Sequence, residues 1–251
     1  MLFHHLYTAD QSRKRDQMII AAGTPGIVLM KRAARAALAV LLENWPDPEM
    51  ITVFCGVGNN GGDGYVLAAL AAEQQIPVTL YAVSAQSHLT GDAMRAAQYA
   101  VDAGVNCTVW ESALNVMPTA GVVVDALLGT GIRGVPRDVF VEMIQCTNES
   151  ELPVLALDVP SGLDADTGFA AGDVVYADIT VTFITRKRGL YTAHAPDACG
   201  WVEYAGLQLD DALEYSSDGE CVELDLDVLL EQHLPPRLRT AHKGLFGHVM
   251  I

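Results

Sequence analysis

From residue 51 onward the chain alternates short, almost unbroken apolar runs with longer stretches whose apolar residues return every three or four positions. The runs are ITVFCGVG, VTLYAVS, NCTVW, GVVVDALLG, PVLALDVP and ITVTFIT. They are continuous in Val, Ile and Leu rather than alternating with polar residues, which predicts strands covered on both faces. YVLAALAAEQQ, HLTGDAMRAAQYAVDAG and VPRDVFVEMIQCTNES lie between them and carry helical periodicity. That alternation predicts a three-layer α/β/α sandwich around a Rossmann-like, mainly parallel sheet. WVEYAGL adds a late edge strand, and DVLLEQHL a short closing helix.

The first forty-five residues read as N-terminal helices, TADQSRKRDQMIIAA and TPGIVLMKRAARAALAVLLENW. In the second, Thr24 is placed to cap and Pro25 to occupy the first helical position, while Ile27, Met30, Ala34, Leu38 and Leu41 share one stripe. The tail from residue 235 differs from all of this: two prolines and a basic cluster precede GHVMI, a new apolar run. It reads as a linker and the opening of a second domain, with the first domain covering residues 1–234 and the linker with that opening covering 235–251.

Composition narrows the class. A chain of 251 residues that is 51% hydrophobic can build a sizeable core. Fifteen basic against thirty-one acidic residues, a formal net charge of −16, set up a field that repels nucleic acid. Five scattered cysteines without a C-x-x-C pair suit a reducing compartment. Without a signal-peptide pattern or an apolar stretch long enough to span a bilayer, a cytoplasmic protein is expected, with no membrane partner.

In an open parallel sheet, ligands bind beyond the carboxyl ends of the strands. Three of these ends are unusual here: GVGNNGGDGY from Gly56, DALLGTGIRG from Asp125 and DVPSGLDADTG from Asp158. The first satisfies G-x-G-x-x-G through Gly56, Gly58 and Gly61, yet the acidic residue that would bind a ribose is missing after VTLYAVS. A plain tight turn is one reading of it; a strand before and a helix after favour a phosphate cradle.

Asp125 and Asp158 stand at apolar strand ends, where desolvation raises a carboxyl pKa and suits it to proton transfer; either could instead cap a helix or tie down a loop. Asn60, Asp125 and Ser161 bring oxygens from three loops, a donor set for a hard, weakly charged cation. Arg186, Lys187 and Arg188 form a basic run that can be a solvated loop, or can bring Lys187 to a phosphate.

GNNGGDGY, VVVDALLGTGIRG and LDVPSGLDADTG, in that order, resemble the signature segments of the NAD(P)H-hydrate epimerase family. The resemblance extends from the first helix to the short helix before Pro235. HKGLFGHVMI resembles the opening of an ADP-dependent NAD(P)H-hydrate dehydratase domain, which implies a C-terminal partner domain in a bifunctional nicotinamide-nucleotide repair enzyme. The resemblance implies an isomerase that interconverts the R and S forms of NADHX and NADPHX.

It further implies a substrate held by Asn59, Asn60, Gly61, Gly62 and Asp63, by Gly129, Thr130, Gly131, Ile132, Arg133, Gly134 and Val135, and by Asp158 and Lys187. It implies potassium on Asn60, Asp125 and Ser161, with Asp158 as the acid/base residue. Arg133 stands where many relatives have lysine, and Arg188 where proline is frequent. The alternatives are a non-catalytic nucleotide- or RNA-related binding module of the same fold, a conventional NAD-dependent dehydrogenase and a docking platform for the dehydratase. The N-terminal helices offer material for a homodimer seam, although burial within one chain explains them equally well.

Overall fold

The computed structural model describes residues 3–111, 117–131, 134–207 and 221–224. Seven strands form one parallel sheet: β2 (Ile51–Cys55), β3 (Val78–Ala82), β4 (Asn106–Val109), β5 (Val122–Ala126), β6 (Val154–Leu157), β7 (Ile179–Phe183) and β9 (Trp201–Ala205). Their spatial order is β4-β3-β2-β5-β6-β7-β9. The chain steps outward from β2 to β4 and then returns to lay β5 against β2 on the other side, with Phe54 opposite Asp125. The order reverses there, and a crevice opens beyond the strand ends.

Helices α2 (Gly26–Asn44), α3 (Asn59–Glu73) and α4 (Gly91–Asp102) cover one face of the sheet, and α5 (Val139–Glu149) covers the other. Strand side chains divide with the pleat: Val53, Cys55, Val124 and Leu155 enter the larger core, while Phe54, Val123 and Ala156 enter the core beneath α5. The three-layer parallel sandwich expected from the sequence is therefore present. β2, β5, β6 and β7 are buried along their whole length. NCTVW departs from the expectation, because β4 is an edge strand and mostly exposed.

Two helix starts also differ. α3 begins at Asn59 instead of Tyr65, so Gly61, Gly62 and Gly64 sit inside a helix and only Gly56 to Gly58 form the turn. Interior glycine costs a helix about 1 kcal/mol relative to alanine, and close packing explains its presence. A Cβ on Gly61 would lie 2.1 Å from the Gly56 carbonyl oxygen, and one on Gly64 would lie 2.5 Å from Ala126 Cβ. α2 starts at Gly26 with Pro25 as the flanking residue and without a side-chain cap, so Thr24 does not cap it. Of its expected stripe, Met30, Ala34, Leu38 and Leu41 are buried, and Ile27 is partly so.

The N-terminal segment forms a small sheet that the hydrophobic pattern did not announce. β1 (Phe3–Tyr7) pairs antiparallel with β10 (Cys221–Leu224) and parallel with the two-residue β8 (Arg186–Lys187). Helix α1 (Ala9–Ala21) follows, opened by a capping box in which Thr8 and Gln11 satisfy each other's backbone N–H groups. The Asp166 carboxylate accepts the Ala9 N–H at 2.6 Å, and Thr185 donates its hydroxyl to Ser12 at 2.8 Å. These contacts lay α1 across the carboxyl edge of the main sheet. No helix of the described residues is long and apolar enough to cross a membrane. The closing helix DVLLEQHL and the tail 235–251 lie outside the described residues, as does the domain boundary between them.

Candidate functional site

Because β2, β5, β6 and β7 are parallel neighbours, the segments after them emerge on one edge. Together with α1 and β8 they enclose a cavity of about 450 Å³. Eight of the residues expected to bind substrate line it: Asn59, Asn60, Asp63, Gly129, Thr130, Gly131, Asp158 and Lys187.

Asp158 follows β6 in a left-handed conformation, φ +66°, which a non-glycine residue adopts only when its surroundings hold it there. Its backbone N–H donates to Val181 O at 2.8 Å, and its Oδ1 accepts from Phe183 N at 3.3 Å and Thr182 Oγ1 at 3.4 Å. Lys187 arrives from β8 with 1% of its surface exposed. Its ammonium donates to Asp158 Oδ1, to Phe183 O at 2.8 Å and to Thr182 Oγ1 at 3.2 Å. All three of its N–H donors are thereby occupied. Lys187, expected at a phosphate, forms an ion pair with the acid/base candidate.

Two further carboxylates face this pair. Burial pushes Asp16 of α1 up to about 6, with Lys187 pulling it down and Asp158 pushing it up. Asp63 of α3 is raised well above the usual carboxylate range, first by burial and then by Asp158 and Asp16. The wall thus holds one carboxylate paired with an ammonium and two whose surroundings favour the protonated form. Such a set can both accept and deliver a proton near neutrality. Asp16 was not foreseen, because a lone aspartate on a polar helix carries no spacing signal; only the docking of α1 across the sheet edge brings it in.

Asp125 and Ser161 form the floor behind the cavity, and both are completely buried. Asp125 Oδ1 accepts from Ser161 Oγ at 2.6 Å and Leu127 N at 3.1 Å, while Oδ2 accepts from Ser161 N at 2.8 Å. Burial still pushes this carboxyl up to about 6, because the three donors offset its desolvation only in part. Ser161 Oγ accepts the Leu128 N–H at 2.9 Å, and Asn60 Nδ2 donates to Leu128 O at 3.0 Å.

Asn60 Oδ1 is buried and has no hydrogen-bond partner. An orphaned oxygen beside one carboxylate, one hydroxyl and a carbonyl fits a hard monovalent cation. Among the described residues no three or more His, Cys, Asp or Glu side chains are placed to hold a metal ion together, as a transition metal would favour.

The other expected contacts lie elsewhere. Gly61 and Gly62 sit one layer behind the wall, and Gly62 packs so close to Met30 that a Cβ there would come within 2.6 Å of its Cε. Gly134 and Val135 do not line the cavity; Val135 is exposed and turned toward Gly172. Ile132 and Arg133 lie outside the described residues. Arg188 donates Nε to Asp166 O at 2.7 Å, so it anchors the 164–167 turn beneath α1.

Comparison with known proteins places this geometry in context. The family described as YjeF-related protein N-terminus matches residues 26–189. The bifunctional NAD(P)H-hydrate repair enzyme Nnr of Coxiella burnetii is 40% identical over 98% of this chain and 50% of its own length. Its Escherichia coli counterpart is 37% identical over 99% of this chain and 48% of its own length. The chain therefore spans about half the length of these curated relatives. The NAD(P)H-hydrate epimerase of Rhodopirellula baltica is 36% identical over 66% of this chain and 68% of its own length. Among solved structures, the yeast protein YNL200c superimposes with a TM-score of 0.66 at 19% identity, covering 72% of this chain and 81% of that one, which supports the fold.

Proposed function

Because the chain belongs to the YjeF-related N-terminal family, we propose that it is an isomerase that interconverts the R and S forms of NADHX and NADPHX. The observation that carries this reading is the Asp158–Lys187 pair, set in one cavity with the start of α3 and the Gly129–Gly131 turn. A dinucleotide needs an anchor for its diphosphate and a proton-transfer group at the damaged ring. α3 starts without a side-chain cap and offers its first backbone N–H groups to an anion. Asp158 lines the same cavity, where inversion beside the ring nitrogen needs a proton delivered or removed. In this reading Asp158 is the acid/base residue, Asp63 supplies a protonated carboxyl beside it, and Asp16, raised to about 6, exchanges its proton just below neutrality.

Potassium is part of the proposal. Asn60, Asp125 and Ser161 are its donors, and the orphaned Asn60 Oδ1 supports this assignment. When bound, the ion supplies fixed positive charge beside a ligand rich in oxygen. The reading includes a second domain after residue 234 that dehydrates the S form, in keeping with relatives named bifunctional of which this chain spans about half, and a cytoplasmic location. Exposed Met18 and Ile20 on α1 are the residues that a homodimer seam would cover.

The test is direct. A separated epimer of NADHX is incubated with the protein and the R to S ratio is followed by chromatography. Acceleration over buffer that disappears in Asp158→Asn supports the reading. A wild-type rate equal to buffer makes this a binding module.

A further inference from the structure

We propose that Arg13 of helix α1 is the cationic group that holds the ligand's diphosphate, and so sets which end of the dinucleotide meets Asp158. The assignment rests on the reading of function above.

The cavity wall has an unequal charge distribution. Its carboxylates are Asp16, Asp63, Asp92 and Asp158, while its only cations among the described residues are Arg13 and Lys187. Lys187 is buried, and its three N–H donors go to Asp158, Thr182 and Phe183. A diphosphate carries about two negative charges and is repelled by the acidic end of such a cavity. Among the described residues Arg13 is the remaining cation on the wall.

Its position suits the task. Nη1 donates to the Thr130 carbonyl oxygen at 3.0 Å, which places the guanidinium against the Gly129–Gly131 turn. Nη2 pairs with Asp10 one turn earlier on α1. The side chain is about one-third exposed, at 38% of its surface, and therefore stands at the mouth while Lys187 stands in the interior. A guanidinium presents five donors in a planar fork. With two nitrogens engaged, Arg13 still has N–H groups for phosphate oxygens and remains fixed against the turn that would flank them. The arrangement puts a cationic point beside the Gly129–Gly131 turn: an anion is drawn to Arg13 there, and the uncharged hydrated ring is left to Asp158.

Two facts explain why residue patterns did not single out Arg13. It sits in the SRKR run, where any basic residue looks like a solvated helix face. It also precedes residue 26, where the family match begins. The contact with Thr130 spans 117 residues of chain and arises only because Asp166 and Ser12 dock α1 over the sheet edge.

The experiment uses ADP-ribose, which carries the diphosphate and lacks nicotinamide. Its affinity is measured by calorimetry at low and high salt for the wild type, Arg13→Ala and Arg13→Lys, with thermal melts as a folding control. Arg13→Ala is expected to weaken ADP-ribose at least tenfold at low salt and to flatten the salt dependence. Arg13→Lys is expected to recover most of the loss. In the epimerisation assay, kcat/KM for the hydrate falls in Arg13→Ala and is largely recovered in Arg13→Lys.

An Arg13→Ala affinity within twofold of wild type overturns the assignment while leaving the function standing. A lysine variant no better than alanine, or an unchanged salt slope, reduces Arg13 to a strut for Thr130. A wild-type protein that neither binds ADP-ribose nor epimerises the hydrate removes the reading of function and this assignment together.

Discussion

Lys187 and Asp158 are twenty-nine residues apart in the chain and form an ion pair at the base of the cavity, with only 2% of the lysine side chain and 16% of the aspartate side chain exposed. The contact joins β8 to the turn after β6. It therefore couples the small N-terminal sheet to the proposed chemistry.

Removing either partner has separable consequences. Asp158→Asn keeps the shape and leaves Lys187 two neutral acceptors, Thr182 Oγ1 and Phe183 O. Loss of epimerisation by a factor of about 10² or more is expected, in keeping with loss of a general acid/base. Lys187→Met leaves a carboxylate facing Asp63 and Asp16 without its counter-charge, and is expected to cost about 3–5 kcal/mol of stability. Urea unfolding measures the second effect, and the epimer ratio measures the first. An Asp158→Asn variant with wild-type turnover would take that residue out of the mechanism.

Potassium gives a second handle. If the ion sits on Asn60 Oδ1, potassium chloride raises the melting temperature above that in an equal concentration of choline chloride, by an amount equivalent to about 2.7 kcal/mol at a hundred times Kd. In Asn60→Ala the difference between the two salts disappears. The same response in wild type and variant would place the ion elsewhere.

The pH dependence follows from Asp125. Its carboxyl is raised from 3.8 to about 6 in the folded protein, so between those values the native state holds a proton that the unfolded chain has released. The stability contributed by the neutral form is complete below about pH 4. It is lost as pH rises through 6, on the order of 3 kcal/mol for this group. Asp16 shifts in the same direction to the same value and adds to the trend. Unfolding free energies in potassium-free buffer at pH 4.5, 5.5 and 6.5 for wild type and Asp125→Asn measure the slope. An asparagine variant that falls as steeply as wild type would assign the loss to other groups.

Gly61 and Gly62 are adjacent, yet their alanine variants should differ. A methyl on Gly61 would run into the Gly56 backbone at 2.1 Å, so α3 or the turn must move; a cost of about 1–3 kcal/mol is expected. A methyl on Gly62 meets the flexible end of Met30, whose Cε lies 2.6 Å away and can swing aside. Thermal melts of the two variants provide the comparison, and equal losses would refute the packing account.

Strand and helix identities were legible because the sheet is doubly covered: burial on both faces forces unbroken Val, Ile and Leu runs, as in VVVDA of β5. Asn60, Asp125, Asp158 and Ser161 were legible as well, since each stands at or just beyond the carboxyl end of such a run. β1 and β8 were not, because a strand of two residues and one with FHHLY carry no readable alternation. The glycines were read as a loop open to a ligand, whereas three of them serve helix packing. Glycine appears wherever backbone approaches closely, and composition does not say what approaches it.

What the sequence alone determined is the layered architecture and the edge of the sheet where chemistry collects, since both follow from periodicity and chain order. What only the tertiary structure decided is which charges meet there. The pairing of Lys187 with Asp158, the arrival of Asp16 and Arg13 on α1, and the orphaned oxygen of Asn60 are contacts between distant segments. Each depends on how α1 and β8 dock across the strand ends. That docking is set by individual hydrogen bonds such as Asp166 to Ala9 rather than by any repeating pattern along the chain.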